Sequence, residues 1–427
     1  LFIELSKENP MTYTPKADRF LTKEINRSLV LNVIKTRGPI SRKDVADITG
    51  LSPATVTGIT ATLIEDGLVS ETGEGQASSL GGRRPVLLQL NPQAGYVAGI
   101  KIVEEGIIGV LVDLDATVLY KEFRSLLHKN DKQSSLDPAT TIQATIETIE
   151  AMLTASKVPR QRVLGIGIGI NGLVDNVSGV SLFAPHFGWH NVQISEPIAD
   201  HFGLPVYLSN DVKSLTIAEQ WFGSGVNIDN FVVVAVGRGI GAGIVIRGQA
   251  YGGTLDGAGE FGHMVLVPDG PRCSCGKKGC LEALAGEPGM LRQVRIALAQ
   301  DEPTILADYS HLTLKDLAQA AEKGDNLAQK ILTEAGRWLG TGISHLLNIL
   351  SPSLVIITGE GVQAGPLYYD AMRAAINQYA FSQALVEQLA LVIEPMGNDE
   401  WARGAACVVL SELFISPMYK STFPAIR

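Results

Sequence analysis

YVAGIKIVEEGIIGVLVDLDATVLYKEF, residues 96 to 123, decides the fold. Its three apolar runs, YVAGIKI, IIGVLVDL and TVLYKEF, are parted by turn residues at Glu105-Gly106 and Asp115 and read as three consecutive strands. A helix from about Pro138 to Ser156 follows, then the buried strand VLGIGIGING, the segments GLVD and GWHN, an amphipathic helix and the strand PVYLSND. The order restarts at Phe231, where FVVVAV, GIGAGIVIRG and QAYGG are again strand, strand and strand. Long helices near 287 to 300 and 325 to 350, the strand LVIITGEG, another helix, LVIEP and a last helix from about Asp399 complete the second round. This repetition predicts an α/β body of two like lobes around a cleft, where ligands usually bind. The expected bounds are residues 91–211 for the first lobe, with 396–427 returning to it, and 212–395 for the second, which would also carry helices for oligomerisation.

Upstream of the boundary at Asn91-Pro92 the pattern changes. From Ile25, INRSLVLNVIKTRG has apolar residues at helical spacing and stops at Gly38-Pro39. Ser41 then opens a second helix as its cap, with Asp44 three residues on and Gly50 as terminator. After a tight turn Ser52-Pro53 begins a third, with Val56, Ile59, Leu63 and Ile64 facing inward and Ser52, Thr55, Thr57 and Thr60 at or near the other face. LVSETGEG and GGRRPVLLQL add a two-stranded wing. Residues 15–90 thus predict a winged helix-turn-helix head that binds double-stranded DNA. The helix from Pro53 would enter the major groove, with Thr55, Thr57 and Gly58 near base edges and Ser52 and Arg42 near phosphates. Arg83 and Arg84 would lie near the minor groove. A head used for protein contact is the alternative.

In the second lobe, EFGHMVLVPDGPRCSCGKKGCLE (260 to 282) concentrates soft ligands. His263, Cys273, Cys275 and Cys280 suit one structural, tetrahedral Zn2+ per chain, closed to further ligands. Cys273 and Cys275 are too close for an easy disulfide, and Cys407 is the one remaining cysteine. Such a knot would hold Glu260, His263 and Glu282, groups that grip hydroxyls, in fixed relation.

Composition agrees with a globular chain of two or three domains: 427 residues, 45% hydrophobic, 45 glycines and four cysteines. No apolar run is long enough to span a membrane. LFIELSKENP, before Met11, has neither the basic start nor the apolar core of a signal peptide and reads as leader or vector-derived sequence. A cytoplasmic location is expected. Net charge is −9, yet residues 12 to 90 hold about ten Lys and Arg against about eight Asp and Glu. An acidic body with a mildly basic head is the arrangement expected when the head alone meets nucleic acid.

From about Thr22 to Phe414 the chain resembles the ROK (repressor, open reading frame, kinase) family, on GWHNV, the LSND turn, Glu-Phe-Gly-His, CSCGKKGCLE and GGRRP. The resemblance implies a duplicated, ribonuclease-H-like body of the kind shared by actin and sugar kinases. It places sugar contacts on Asn210, Asp211, Glu260, His263 and Glu282, and zinc ligands on the four residues above. In the family's kinases the residue at the position of Asp211 is the general base, which would make it catalytic here if the chain were a kinase. Its transcriptional regulators carry a helix-turn-helix head; its kinases lack one. Two departures bear on this choice. The family's first phosphate loop, Asp-x-Gly-Gly-Thr, is replaced by Lys101-Ile102-Val103-Glu104-Glu105-Gly106, and the second, Gly-Thr-Gly, by Gly237-Arg238-Gly239. Acidic residues there repel a triphosphate. Asn171 also stands before Gly172 where the family has proline. The expectation is a sugar-responsive repressor, homodimer or homotetramer, that binds operator DNA and a monosaccharide without phosphorylating it. An active sugar kinase with a regulatory head is the alternative.

Overall fold

The computed structural model describes residues 19–75, 84–126, 137–309 and 311–415. The leader-like segment and Arg83 lie outside the described residues. The described residues fall into two compact units that part between Asn91 and Pro92. Among them the body unit runs to Ser411, and residues 412–415 group with the head.

The head comprises α1 (Arg19–Arg37), β1 (Ile40–Ser41), α2 (Arg42–Thr49), α3 (Pro53–Glu65), β2 (Val69–Glu74) and β3 (Val86–Leu90). The Ser41 cap forms as read, and Ser52 caps α3: their hydroxyls each accept from a backbone N–H, of Asp44 and Thr55, at 3.2 Å. Gly50 closes α2 with φ 70°, a conformation that disfavours a Cβ. The strands join in the order β1-β3-β2, so β2 and β3 make the wing. Val30, Ile34, Val45, Val56, Leu63 and Leu88 form the core. One assignment changes: Thr60 is fully buried, whereas Ile59 and Ile64 are half-buried. The buried stripe of α3 runs through 56, 60 and 63, a helical spacing that takes the threonine inward with it.

The first lobe comprises β4 (Tyr96–Val103), β5 (Gly106–Asp113), β6 (Val118–Ser125), α4 (Pro138–Ser156), β7 (Val163–Ile170), β8 (Leu173–Asp175), β9 (Val180–Ala184), β10 (Trp189–Gln193), α5 (Ser195–Phe202) and β11 (Val206–Asn210). α6 (Asp211–Phe222) leads to the second lobe: β12 (Phe231–Val236), β13 (Ile240–Ile246), β14 (Gln249–Ala250), α7 (Leu281–Ala285), α8 (Glu287–Leu298), α9 (Leu314–Glu322), α10 (Asn326–Leu350), β15 (Leu354–Thr358), α11 (Pro366–Tyr379), α12 (Gln383–Glu387) and β16 (Ala390–Ile393). α13 (Asn398–Phe414) ends the described chain. The sheets have orders β11-β7-β4-β5-β6 and β14-β13-β12-β15-β16. In each, the opening strand pairs antiparallel with its successor and parallel with the strand after the first long helical crossover, so the repeat seen in sequence is a repeat of topology. β14 is shorter than QAYGG suggested. GLVD through GWHNVQ forms a separate antiparallel sheet, β10-β9-β8, whose strands of three to five residues are too short to show periodicity.

Gly167 of β7 and Gly99 of β4 have a packing reason. A Cβ on Gly167 would stand 1.9 Å from the Ala405 carbonyl oxygen, and one on Gly99 2.1 Å from that of Ala402, so their absence lets α13 lie directly on the sheet. Gly336 and Gly340 likewise admit α11 against α10, where a Cβ would meet the carbonyls of Tyr368 and Met372 at 2.0 and 2.2 Å. No helix among the described residues is long and apolar enough to cross a membrane.

Candidate functional site

A cleft of about 1100 Å³ lies between the two lobes of the body, and Asn210, Asp211, Glu260, His263 and Glu282 all line it. β11 ends at Asn210 and α6 begins at Asp211, which places both at a strand-to-helix junction facing the second lobe.

Asn210 caps α6. Its Oδ1 accepts from the N–H groups of Val212 (3.0 Å) and Lys213 (3.1 Å), and its Nδ2 donates to the Gly172 carbonyl (3.0 Å). That leaves one amide proton for a ligand. Asp211 is almost buried, and its Oδ2 is bound by the Lys101 ammonium. Lys101 sits where the family's kinases have the phosphate-loop aspartate, so the departure and the base position are one contact. The other oxygen, Oδ1, accepts from the Val212 N–H at 2.8 Å, so both carboxylate oxygens are engaged.

The two loops that depart from the family's phosphate loops carry acid-base pairs of their own. Arg238 of the second loop reaches across to Glu104 and Glu105 of the first, the latter at 3.0 Å. Glu360 Oε1 accepts from Trp401 Nε1–H (2.8 Å), and its other oxygen crowds Gly237, where a Cβ would come within 2.4 Å of it. Glu360 thus stands beside the Gly237 backbone, while Glu104 and Glu105 engage Arg238 of the same loop.

The metal residues converge. The ligand atoms of His263, Cys273, Cys275 and Cys280 all lie within 4.8 Å of one another. Cys275 Sγ and Cys280 Sγ are 3.8 Å apart, and Cys273 Sγ is 3.5 Å from His263 Nδ1. A tetrahedron with metal–sulfur bonds of about 2.3 Å and a metal–nitrogen bond of about 2.0–2.1 Å has edges of roughly 3.8 and 3.6 Å, so the donor set fits zinc. Burial pushes the Cys273 thiol up to about 12, and a bound cation is what would hold it as a thiolate. His263 Nδ1 faces the sulfurs while Nε2 faces Glu260 at 3.7 Å, leaving that edge of the ring toward the cleft. Burial raises the Glu260 carboxyl, and His263 offsets part of this. Glu282 is tied on both oxygens, accepting from Ser274 Oγ (2.6 Å) and Ile240 N–H (3.3 Å), and so braces the loop as well as lining the cavity.

In the head, Ser52, Thr57, Gly58 and Arg84 are exposed and Thr55 is half-buried. The hydroxyls of Ser52 and Thr55 bond each other (2.8 Å), and that of Thr57 donates to the Pro53 carbonyl (2.8 Å). Arg42 is engaged by Thr60 (3.1 Å) and Glu71 (2.8 Å), which fixes α2 against α3 and the wing. Sequence reasoning missed Lys213 and Asp256, a nearly buried ion pair beside the cleft. Asp256 sits in a run of small residues, TLDGAGE, that looks like an ordinary turn.

A family profile described as the ROK family matches residues 97–412, and one described as winged helix-turn-helix DNA-binding matches residues 24–70. The xylose repressor of Bacillus subtilis is 31% identical over 394 residues, 92% of this chain and 97% of that protein. The DNA-binding transcriptional dual regulator NagC of Escherichia coli is 31% identical over 84% of this chain and 86% of its own length. Among solved structures, a ROK family transcriptional regulator homologous to the E. coli MLC protein matches with TM-score 0.80 and 30% identity over 92% of this chain and 97% of that one. A ROK family glucokinase from Streptomyces griseus, in complex with glucose and AMPPNP, matches 74% of this chain and 99% of its own, with TM-score 0.63 and 26% identity.

Proposed function

Because the chain belongs to the ROK family and joins that body to a winged helix-turn-helix head, we propose that it is a transcriptional repressor that a monosaccharide releases from operator DNA, without phosphotransfer. The observation that carries this reading is the Lys101–Asp211 pair: the residue that would serve as general base is neutralised within the same cleft that gathers the sugar-binding motifs. The regulators that match along nearly their whole length support it.

Sugar hydroxyls bridge Asn210 and Asp211 of one lobe to Glu260, His263 and Glu282 of the other, and closure on the sugar is favoured by its tighter binding to the closed state. His263 and the three cysteines would hold a structural zinc through Nδ1 and the sulfurs, which leaves Nε2 of the imidazole toward the sugar. On DNA, Thr55, Thr57 and Gly58 face base edges while Ser52, Arg42, Arg83 and Arg84 serve the backbone and the adjacent minor groove. Two heads about 34 Å apart, or a multiple of that, reach successive major grooves, which requires at least a homodimer. Ile349 and Phe381, 75% and 86% exposed, offer apolar surface for one. They flank the contact in which the Phe381 N–H donates to Asn348 Oδ1 (2.7 Å).

The test is fluorescence anisotropy of labelled DNA from the upstream region, titrated with the protein and then with neutral monosaccharides. Operator affinity should fall on addition of one of them and weaken steeply with salt. DNA binding that no sugar alters would overturn the effector role, and no DNA binding would overturn the reading altogether.

A further inference from the structure

Among the described residues, two oxygens of residues lining the cleft lack a partner. Asp256 Oδ2 and Asn171 Oδ1 are both shut off from solvent and accept no hydrogen bond, although both residues line the cavity. The Asp256 side chain is only 9% exposed, and its other oxygen is held by the Lys213 ammonium. Asn171 belongs to the first lobe, between β7 and β8; Asp256 belongs to the second. β8 lies against the turn Thr254–Asp256, and a Cβ on Gly257 would touch the Leu173 side chain at 3.1 Å. Asn171 and Asp256 therefore sit on facing walls at one end of the cleft. Asn210 is at the same end, since it holds the carbonyl of Gly172, the residue after Asn171.

A buried acceptor without a donor forfeits its hydration and gains nothing in return, and the loss is greatest for a carboxylate. Such an atom in a ligand cavity calls for a donor on the ligand. The charges nearby narrow its chemistry. Asp211, Asp256, Glu260 and Glu282 line this region, and the two lysines, Lys101 and Lys213, are already paired with Asp211 and Asp256. An added phosphate or carboxylate would meet surplus negative charge, whereas a neutral hydroxyl supplies the missing proton without it.

We infer that Asn171 and Asp256 form a further subsite of the cleft that accepts hydrogen bonds from hydroxyls of a neutral, unphosphorylated polyol, one acceptor from each lobe. Asn171 stands where the family usually has proline, which has no side-chain acceptor. The inference rests on the cleft being a monosaccharide site.

Isothermal titration of the full chain separates the two. The probes are a panel of neutral pentoses and hexoses, their single-deoxy analogues and the phosphate ester of whichever sugar binds. If no neutral sugar binds the wild type, the proposed function fails and this subsite fails with it. Where one binds, Asp256→Asn should weaken it about tenfold or more, the scale of a hydrogen bond to a charged acceptor. Asn171→Ala should weaken it less. For one deoxy analogue, lacking the hydroxyl read here, variants and wild type should bind alike. Lys213→Gln/Asp256→Asn, which leaves no unpaired buried ammonium, should show the same selective loss. The phosphate ester should bind at least tenfold more weakly than the free sugar. Equal losses across the whole analogue series, no loss at all, or tighter binding of the ester would overturn the subsite while leaving a sugar-binding repressor in place.

Discussion

Lys101→Met probes the ion pair at the centre of the cleft. The side chains of Lys101 and Asp211 are 7% and 12% exposed, and the ammonium also lies 5.2 Å from the centre of the Trp401 ring. Methionine keeps the unbranched stem and removes the charge, leaving the Asp211 carboxylate buried without its counter-ion. Breaking a buried pair from one side costs about 3–5 kcal/mol. Asp211 retains the Val212 N–H at 2.8 Å, which favours the lower end of that range. With an unfolding entropy of about 2.1 cal/mol/K per residue, a unit the length of Pro92–Ser411 should melt about 4–8 °C lower. Lys101→Met/Asp211→Asn removes both charges and should recover most of the loss, because a buried pair replaced as a whole is close to neutral. Calorimetry and urea titration of the four proteins give the coupling directly. A single variant that melts with the wild type, or a double variant no more stable than the single, refutes the reasoning.

Gly336→Val puts a branched side chain where a Cβ alone would lie 2.0 Å from the Tyr368 carbonyl, and should cost more than about 3 kcal/mol in urea titration as α11 is forced off α10. Burial, reinforced by Glu394, pushes the Glu219 carboxyl up to about 7 from an ordinary value of 4.5. Its contribution to stability is therefore fully present below pH 4.5 and is lost as pH rises through 7, by at most about 3 kcal/mol. Glu219→Gln should flatten that part of the curve, read by urea titration at pH 5 and pH 8. Metal analysis of the purified chain should find one zinc per protomer. Cys275→Ser should lose it and weaken sugar binding at least tenfold, with operator affinity in the absence of sugar unchanged.

The fold is legible because its signal is long-range repetition: FVVVAV and YVAGIKI each open a strand triplet, and both triplets form the same sheet topology. The metal residues are legible because thiolates and imidazole at short spacing have few other uses. What stays hidden is pairing between residues distant in sequence. Lys101 is visible as a departure, but its contact with Asp211, more than a hundred residues away, depends on how β4 and β11 flank β7. Arg238 is ambiguous alone, since a guanidinium attracts phosphate; only its contact with Glu104 and Glu105 shows it already neutralised. Thr60 reads as outward because hydroxyls favour water, yet its place in the buried stripe and its bond to Arg42 decide otherwise. Asn210 has two readings, helix cap and ligand contact; it is a cap with one amide proton still to offer.

The central claim is that the nucleotide end of this cleft is closed by its own charges while the sugar end acts on the head. The direct measurement follows ADP release and operator anisotropy together in one sample of the full chain, with the sugar that binds it, before and after addition of magnesium ATP. The account predicts that sugar alone releases the operator and that ATP adds neither further release nor turnover above background. Turnover at an ordinary kinase rate of about 1–100 per second, or release that begins only when ATP is present, would contradict it.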